Sequence, residues 1–594
     1  MMAKWMLYTK KENFNEIGKK FNISPMLARI MVNRNVRESE QIRKYLYGTM
    51  EDLYDPKLLL GMEKAVSILV DAIEEKKKIV IASDFDVDGI FSSMILYTAF
   101  CRVGGQCYID TPNRVTEGYG INKRIVDNAI EEGASVLITC DNGIAALEPV
   151  QYAKELGMQV IVTDHHEVPF SMENGKKVYH KPMADVIVNP KQAECGYPFK
   201  KLCGAGVTFK LAQVLYAHYQ VPKEEEKILT TYAAIATVAD VMDLEDENRI
   251  LVKTGLRLLE NTSNVGLRAL LRVTELEGKK LTAYHIGFVI GPCFNAAGRL
   301  ETVKRALDLL LCENEGEAMT LATNLKELNE TRKEMTEQGT KQAITKIEES
   351  SLKDDKVLVV KLENCHESLV GIIAGRLRER YYKPTIVFTQ GEEGLKGSGR
   401  SIPPYNMFEE LSACKDLLDR FGGHPMAAGM TVQEDRLDLL RQSLNANTTM
   451  TQEDLIPKVW IDIPLPIQYV TEAFVEELSK LEPYGKGNEK PLFAEQHLRV
   501  TEGRIIGKNK NVYKARVANP SGARIDAIYF GDVMQLEHYI KTEYGEENWY
   551  LATRGQKNTI DLGVVYYPTI NEFRDQRTPQ IVMQEYCHIQ TPNK

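Results

Sequence analysis

The feature that most constrains this 594-residue chain is a set of apolar runs that each end in a carboxylate or an imidazole. Four runs share the pattern: KIVIAS (78–83) before Asp84, VLITC (136–140) before Asp141, QVIVT (159–163) before Asp164, His165 and His166, and AAIATVA (233–239) before Asp240. We interpret all four as strands of an open α/β sheet, in which ligands bind at the carboxyl ends of the strands. The polar side chains are therefore predicted to converge on one pocket.

The residue types in this predicted pocket are those that hold divalent cations. DFDVDG places Asp86 and Asp88 near Asp84, and carboxylates with one or two imidazoles suit Mg²⁺ or Mn²⁺. So many carboxylates would also repel one another unless cations neutralised them. An EF-hand calcium loop begins in the same way, but it requires a carboxylate where this chain has Ile95. We predict two metal ions with these ligands: Asp84, Asp86, Asp88, Asp141, His165 and Asp240.

The motifs around these residues resemble those of a known superfamily. DFDVDGIFSS, TCDNGI, VTDHHE and ATVADVMDL occur in the order of the four motifs of the DHH phosphoesterases. Six further segments resemble the RecJ branch of that superfamily: PNRVTEGYGIN (112–122), NPKQAECGYPFKKLCGAGVTFKLAQ (189–213), GPCFNAAGRLE (291–301), LVGIIAGRLRERYYKPTIVF (369–388), LKGSGRSI (395–402) and RFGGHPMAAGM (420–430). RecJ proteins are exonucleases that degrade single-stranded DNA from the 5′ end with Mn²⁺ or Mg²⁺, so the resemblance implies this activity.

Hydrolysis of a phosphodiester requires a nucleophilic hydroxide and stabilisation of the charge on the phosphate and on the leaving oxygen, which two metal ions supply together. We expect Asp86 and Asp88 to bind different ions, and Asp141 to bridge them. Three residues are expected to take part in catalysis: Asp84 as a ligand or as an orienter of the attacking water, Asp164 as the residue that orients the histidines, and His166 as a donor to the scissile phosphate.

The alternation of apolar runs with helical patterns predicts two α/β lobes, the first with a parallel sheet. Residues 315–350 lack proline and repeat leucine and isoleucine at helical spacing, which predicts a long helix that joins the lobes. A coiled-coil dimer is the alternative for this segment. The predicted domains are a helical segment (1–77), a DHH catalytic domain (78–305), the connecting helix (306–354), a DHH-associated nucleic-acid-binding domain (355–448) and an OB-like β-barrel (455–594).

The second lobe contains two glycine-rich segments, KGSGRS (396–401) and FGGHPMAAG (421–429), which we interpret as turns. Glycine-rich turns allow backbone N–H groups to approach phosphates closely. From the family resemblance, the candidates for DNA binding are Arg299, Arg376, Ser398, Arg400, Gly422, Gly423 and His424.

The C-terminal stretch is rich in short alternating segments, which predict a small β-barrel. LEPYGKGNEKPLF (481–493) resembles the entry to the oligonucleotide-binding domain of RecJ proteins. One group of side chains could stack on and cradle single-stranded bases, or could in part form the barrel core: Tyr513, Tyr529, Phe530, Lys508, Lys510, Lys514 and Arg516.

Composition restricts the class of protein but does not identify it. The net charge of −9 argues against attraction of nucleic acid to the whole surface, but not against a local basic channel. No apolar run approaches the ~18–20 residues of a membrane span, and the first residues lack the apolar core of a signal peptide. Ten scattered cysteines without C-x-x-C indicate free thiols in a reducing compartment. We expect a monomer in the cytoplasm that does not bind membranes.

The predicted function is that of a 5′→3′ exonuclease specific for single-stranded DNA, which acts in DNA repair and recombination. A single-stranded-DNA-binding protein or a helicase is a partner that the resemblance implies. The alternative is a DHH phosphodiesterase that acts on short oligoribonucleotides or cyclic dinucleotides. The roughly 140 residues beyond the second lobe weigh against this alternative, because a small substrate offers a barrel little to bind.

Overall fold

The computed structural model describes residues 3–114, 116–173, 176–507, 509–574 and 576–588. These residues form two compact units. The terminal unit comprises Met1–Tyr47, Gln452–Glu482 and Asn488–Lys594, and the central unit comprises Gly48–Thr451 and Pro483–Gly487. The predicted boundaries of the five domains stay a prediction, since the two units follow a coarser division of the chain.

The chain begins with one strand and three helices: β1 (Lys4–Leu7), α1 (Phe14–Phe21), α2 (Pro25–Asn33) and α3 (Ser39–Tyr47). Local signals set their ends. The Asn13 side chain accepts from the Glu16 N–H at the start of α1, and α1 ends at Asn22, which is left-handed with φ 50°. Ser24 caps α2, whose first residue is Pro25. This segment was predicted to be helical. The structure adds the strand β1, which forms by pairing with a distant part of the chain.

The first lobe of the central unit is built on a parallel sheet. Its elements are α4 (Met62–Glu74), β2 (Lys78–Ser83), α5 (Val87–Arg102), β3 (Gln106–Asp110), α6 (Lys123–Glu131), β4 (Ala134–Cys140), α7 (Leu147–Glu155), β5 (Gln159–Thr163), β6 (Phe170–Glu173), β7 (Lys176–Tyr179) and β8 (Val186–Val188). The strand order is β3-β2-β4-β5-β8, and every neighbouring pair is parallel. The central strands β2, β4 and β5 are buried on both faces, as their continuous apolar sequences predict.

Helices alone follow this sheet, up to the end of the lobe: α8 (Gly204–His218), α9 (Glu226–Ala239), α10 (Asp246–Glu260), α11 (Val265–Val273), α12 (Ala283–His285), a π-helical turn (Ile286–Ile290), α13 (Gly291–Leu300) and α14 (Lys304–Leu311). The prediction of a strand at residues 233–239 is therefore wrong. A short apolar run does not distinguish a strand from a buried helix, and alanine at four of these seven positions favours the helix.

A single helix, α15 (Glu315–Glu348), leads to the second lobe, as predicted. That lobe contains β9 (Leu358–Lys361), α16 (Val370–Tyr381), β10 (Thr385–Gln390), β11 (Leu395–Arg400), α17 (Met407–Ala413), β12 (Arg420–His424), β13 (Ala427–Val432) and α18 (Leu437–Asn447). The sheet order is β12-β13-β11-β10-β9, with β9 and β10 parallel and the other pairs antiparallel.

The two glycine-rich segments are largely strands in this sheet rather than the turns that we predicted. KGSGR forms most of β11, and RFGGH forms β12. The glycines serve close packing within the sheet. A Cβ on Gly397 would lie 2.3 Å from the Phe388 ring, and one on Gly423 would lie 2.4 Å from the Ala427 carbonyl oxygen.

The C-terminal part of the chain forms a closed barrel. It contains β14 (Lys458–Ile461), β15 (Ile463–Pro464), α19 (Glu472–Leu478), β16 (Phe493–Ile506), β17 (Val512–Ala518), β18 (Arg524–Tyr529), α20 (Val533–Tyr544), α21 (Glu546–Thr553), β19 (Asp561–Phe573) and β20 (Gln576–His588). The ring β16-β17-β18-β20-β19 closes because β19 also pairs with β16. This barrel confirms the predicted fold class.

The aromatic side chains of the barrel divide between core and surface. Tyr513 and Tyr529 are buried, and Tyr513 stacks on Trp549, so both belong to the core. Phe530 is exposed. Lys508, which was predicted beside them, lies outside the described residues. None of the helices in the described ranges combines the length and the apolar character of a membrane span.

Within the terminal unit, the first residues pair with residues more than 450 positions later. Strand β1 runs parallel to β14, with Lys4 opposite Lys458. In the same unit the buried Asn33 amide donates to Asp462 Oδ1 at 3.1 Å. The Leu492 N–H donates to the other carboxylate oxygen, also at 3.1 Å. A buried carboxylate is thus satisfied from two distant parts of the chain.

We predict that Asn33→Ala lowers the free energy of unfolding of the terminal unit by about 1–3 kcal/mol, because it leaves Asp462 buried with one donor fewer. Urea denaturation followed by tryptophan fluorescence would measure this, since Trp5, Trp460 and Trp549 all belong to that unit. Asn15→Ala, on the exposed face of α1, is the control and should unfold like the wild type. Equal stability of the two variants would contradict a structural role for the Asn33–Asp462 contact.

Candidate metal centre and adjoining basic cleft

The acidic loop 84–88 follows β2, continues into the first turn of α5 and is held by hydrogen bonds to the backbone. Asp86 caps α5, because its Oδ1 accepts from the Gly89 N–H at 3.1 Å. The Ser83 hydroxyl donates to the Gly89 carbonyl at 2.6 Å, and the Gly120 N–H donates to Asp84 Oδ1 at 3.3 Å. A Cβ on Gly89 would lie 2.5 Å from the Asp84 carbonyl oxygen, so only glycine allows this tight loop.

Asp88 is fixed by the amino terminus of α8. The N–H groups of Gly204 and Ala205 donate to its two carboxylate oxygens at 2.6 and 2.8 Å. The helix dipole favours a negative charge at this position. Gly204 also allows α8 to approach the next strand end, since a Cβ on it would lie 2.7 Å from the Asp141 Cβ.

Asp141 follows β4 in a left-handed conformation, with φ 60°. Such a backbone is uncommon outside glycine, and it is found in structures where the surroundings enforce it. Here the Tyr119 hydroxyl donates to the Asp141 carbonyl at 2.6 Å. The turn places the carboxylate 3.0 Å from His165 Nε2, measured to Oδ1.

Asp164 holds the two histidines that follow it after β5. Its Oδ1 accepts from the N–H groups of His165 and His166 at 2.7 and 3.0 Å and lies 2.8 Å from His166 Nδ1. Its Oδ2 accepts from the Ile144 N–H at 2.9 Å. Burial opposes its charge, but its hydrogen bonds and the charge of His166 hold its pKa below the ordinary value. Asp164 therefore stays ionised, fixes the ring of His166 and holds the backbone of both histidines.

Asp240, directly after α9, adds a carboxylate from the end of a helix to those at the strand ends. Its Oδ2 lies 3.8 Å from His165 Nε2, and Asp88 Oδ2 lies 3.5 Å from the same nitrogen. The side chains form overlapping groups that could each hold one cation. One group is Asp84, Asp86 and Asp141, another is Asp88, His165 and Asp240, and a third joins Asp141 to His165 and His166.

The electrostatics of this cluster indicate that it is incomplete without cations. Four aspartates have a raised pKa, first because they are buried and second because a neighbouring aspartate repels their charge: Asp84, Asp86, Asp141 and Asp240. Asp84 Oδ2 is buried with no hydrogen-bond partner in the described ranges. Burial lowers the pKa of His165 to about 4, so its imidazole is neutral and able to bind a cation. The donor set fits Mg²⁺ or Mn²⁺.

His166 differs from His165 in its charge and its exposure. Its side chain is 44% exposed. Burial would lower its pKa, but the hydrogen bond with Asp164 and the charges of Asp240 and Asp88 raise it to about 9. Its Nε2 lies 3.2 Å from the Tyr119 hydroxyl oxygen. His166 is thus a cationic donor at the edge of the cluster.

A basic cleft adjoins the acidic cluster. We call it the arginine cleft: a cavity of about 770 Å³ lined by residues that include Arg114, Arg299, Ser398 and Arg400. The charge of Arg114 acts on Asp84 and Asp86. Burial and the neighbouring guanidinium groups of Arg114 and Arg332 lower the pKa of Arg299 to about 9. Several cations crowd this cleft, so an anion placed there would be strongly stabilised.

The structure gathers some of the predicted DNA-binding residues and separates others. Arg299, Ser398, Arg400 and Gly422 line the arginine cleft. Arg376, Gly423 and His424 are not part of its lining among the described residues; Arg376 is exposed and its charge acts on Arg332 and Glu337 instead.

Sequence reasoning missed two residues of the site, Arg114 and Tyr119. Both lie in the segment 112–122, which was noted for its resemblance and assigned no chemistry. A loop that directly follows a strand next to β2 was the available signal, because such loops lie at the same sheet edge as the acidic loop.

Aspartates and a histidine pair at the carboxyl ends of parallel strands, with a second lobe that supplies basic residues, define a DHH-type phosphoesterase. Family models match three parts of the chain: the DHH family N-terminal domain (78–239), the DHHA1 domain (354–449) and the RecJ OB domain (461–585). The chain belongs to the family of the single-stranded-DNA-specific exonuclease RecJ, which confirms the resemblance found in its motifs.

Individual relatives are similar over nearly the whole chain. The RecJ exonuclease of Bacillus subtilis is 35% identical over 97% of this chain and 69% of its own length. That of Escherichia coli is 34% identical over 96% of each chain. The crystal structure of RecJ from Thermus thermophilus in complex with Mn²⁺ superposes with a TM-score of 0.80 at 25% identity, covering 99% of this chain and 80% of the other.

We predict that Gly89→Ala weakens Mn²⁺ binding ~10-fold or more, because the new Cβ displaces the backbone that positions Asp84 and Asp86. Isothermal titration calorimetry would measure the affinity. Gly375→Ala is the matched control, since it also lies in a helix and a Cβ there meets nothing within 4 Å. Unchanged Mn²⁺ affinity in Gly89→Ala would show that the loop does not position metal ligands.

Proposed function

We propose that this protein is a 5′→3′ exonuclease specific for single-stranded DNA that uses two divalent cations. The observation that carries the proposal is the arginine cleft directly beside the acidic cluster, within one unit of the structure. Its relatives are named single-stranded-DNA-specific exonucleases, and the Thermus thermophilus structures are complexes with Mn²⁺ and Mg²⁺.

The metal ligands are proposed as two sets of three residues, with Asp141 placed to serve both. Asp84, Asp86 and Asp141 would hold one ion, and Asp88, His165 and Asp240 would hold the other. Asp141 stands between the sets, since its Oδ1 lies 3.0 Å from His165 Nε2. When bound, the ions supply a hydroxide near neutral pH and stabilise negative charge on the phosphate.

The protein's own residues position the substrate and donate a hydrogen bond to it. His166 is cationic and half-exposed, and Asp164 holds its ring, so its Nε2–H is proposed to donate to a non-bridging oxygen of the scissile phosphate. This bond strengthens as negative charge develops on the phosphate, and it therefore favours the transition state. Asp164 acts only through the histidines.

The arginine cleft is proposed to bind the 5′-terminal phosphate. Guanidinium groups bind phosphate oxygens through paired hydrogen bonds, which gives a fixed geometry as well as affinity. Arg400 is itself held by hydrogen bonds to Ser398 Oγ at 3.0 Å and to the Gly399 carbonyl at 2.7 Å. A terminal phosphate anchored beside the metal ligands would place the first phosphodiester at the cluster, which explains hydrolysis from that end. Arg376, Gly423 and His424 stay candidates for contacts farther along the strand.

The features outside the central unit favour a long substrate. The closed barrel matches the RecJ OB domain, and barrels of this type bind oligonucleotides. A phosphodiesterase that acts on short oligoribonucleotides or cyclic dinucleotides would not need such a barrel to bind its substrate. We infer that the protein acts as a monomer in the cytoplasm, and that a single-stranded-DNA-binding protein or a helicase supplies its strand.

Digestion of end-labelled oligonucleotides tests this function. We predict release of mononucleotides from the 5′ end of single-stranded DNA when Mn²⁺ is present, with little hydrolysis of duplex DNA or of a dinucleotide of RNA. Asp141→Ala removes the shared ligand and should lower the rate by ~10³-fold or more, which corresponds to about 4 kcal/mol of transition-state stabilisation. Hydrolysis from the 3′ end, or a near-normal rate in Asp141→Ala at saturating Mn²⁺, would overturn the proposal.

Arg400→Ala tests the terminal-phosphate site. For strands that carry a 5′-phosphate we expect KM to rise ~10-fold or more, on the scale of one charged hydrogen bond, whereas for strands with a 5′-hydroxyl KM should change less. Arg272→Ala is the matched control, because Arg272, in the last turn of α11, forms an exposed ion pair with Glu277. An equal rise of KM for both types of strand end would place Arg400 elsewhere along the DNA.

A further inference from the structure

A second basic cavity lies on another side of the acidic cluster. It has a volume of about 640 Å³, reaches His165, and is lined by four lysines together with Glu167 and Asp243. We call it the lysine pocket, after Lys191, Lys200, Lys201 and Lys486. Four ammonium groups line the pocket with two carboxylates, and Glu245 pairs with Lys201 at 2.6 Å, so the pocket carries a net charge of about +1. Neither the metal ligands nor the arginine cleft accounts for it.

Three of these lysines belong to the segment 189–201, which is tied to the acidic cluster at both ends. The Asn189 amide donates to the His166 carbonyl at 2.9 Å. At the other end, Lys201 lies three residues before Gly204, whose N–H donates to Asp88. The Asn248 amide donates to the Lys201 carbonyl at 2.7 Å. The lysine pocket therefore keeps a defined position relative to the metal ligands.

The fourth lysine comes from a distant part of the chain. Lys486 belongs to the short segment Pro483–Gly487, which is part of the central unit although its neighbours in sequence belong to the terminal unit. The Leu244 N–H donates to its carbonyl at 2.7 Å, and its ammonium lies 3.6 Å from Asp243 Oδ1. Its charge also acts on Asp240 and on His424. Lys486 thus links the pocket with a metal ligand and with the second lobe.

The two basic regions contact different members of the cluster. Arg114 of the arginine cleft acts on Asp84 and Asp86, whereas the lysine pocket borders His165 and, through Lys486, Asp240. We propose that the lysine pocket binds the backbone phosphates of the substrate strand beyond the scissile bond, so that the strand runs from the arginine cleft across the acidic cluster into the pocket. This inference rests on the proposed exonuclease function and specifies where the remaining strand is held.

The choice of lysine suits such a site. An ammonium is a compact point charge without the fixed fork of a guanidinium, so it binds a phosphate in many orientations. An exonuclease advances by one nucleotide after each cleavage, and its grip on the remaining strand must release and rebind. Glu167 lies 3.1 Å from Lys191 and Asp243 lies 2.7 Å from Lys201, so these carboxylates can receive the lysines when a phosphate leaves.

Substrate length provides the test. In 5′-phosphorylated dithymidylate no phosphate lies beyond the scissile bond, whereas octathymidylate has six. We expect Lys191→Ala/Lys486→Ala to raise KM for octathymidylate ~10-fold or more, to leave its kcat within about twofold, and to change kcat/KM for dithymidylate less than about twofold. The salt dependence of octathymidylate binding should weaken by up to ~0.7 in log–log slope for each phosphate that the variant no longer binds.

Lys227→Ala is the control variant, because Lys227 is exposed, pairs with Glu224 and lies in the first turn of α9, the helix that leads to Asp240. It should behave like the wild type on both substrates. Equal losses on the two substrates would mean that the lysines support the metal site or the fold, and no loss on either would mean that the strand leaves by another route. Either result would overturn the inference.

Binding measured without turnover separates this inference from the proposed function. Fluorescence anisotropy of labelled octathymidylate, in protein that also carries Asp141→Ala, reports on binding without hydrolysis. The two lysine substitutions should weaken this binding ~10-fold or more, and unchanged binding would overturn the pocket's role. Failure of the wild type to hydrolyse either substrate with Mn²⁺ would instead overturn the proposed function.

Discussion

The repulsion among buried carboxylates at one sheet edge is the constraint on which the rest of the central unit depends. Asp84, Asp88 and Asp141 are almost wholly buried, and burial beside like charges is costly unless donors or cations compensate. The amino terminus of α8 supplies donors to Asp88, and the Gly120 N–H supplies one to Asp84. Two divalent cations would neutralise the negative charge that these donors leave uncompensated.

The negative net charge of the chain explains how the basic groups are distributed. A chain with a net charge of −9 does not attract nucleic acid as a whole, so its cations must be concentrated where phosphates are to lie. Arginines occupy the cleft beside Asp84 and Asp86, and lysines occupy the pocket beside His165. Under the proposed function, fixed guanidinium forks suit the recognition of a strand end, and ammonium groups suit a backbone that moves.

Much of the fold followed from local patterns. The apolar runs before Asp84, Asp141 and Asp164 are parallel strands, as predicted, because buried parallel strands are continuously apolar. The run before Asp240 is a helix instead. It was predicted wrongly because the length and apolar character of a short run do not distinguish a strand from a helix. The glycine-rich segments of the second lobe are strands, because their glycines make room for neighbouring side chains such as the Phe388 ring, which no local pattern reveals.

The sequence by itself determined the chemistry of the site, since carboxylates and imidazoles at successive strand ends can meet only at one sheet edge. Motif order also indicated the family. Only the tertiary structure decided which basic side chains lie near that edge, because Arg114, Arg299 and Arg400 are brought together from three distant parts of the chain. It likewise placed Lys486 beside Asp243 and joined β1 to β14. Such contacts depend on how helices and strands pack in three dimensions, and the spacing of residues along the chain does not show which distant residues will meet.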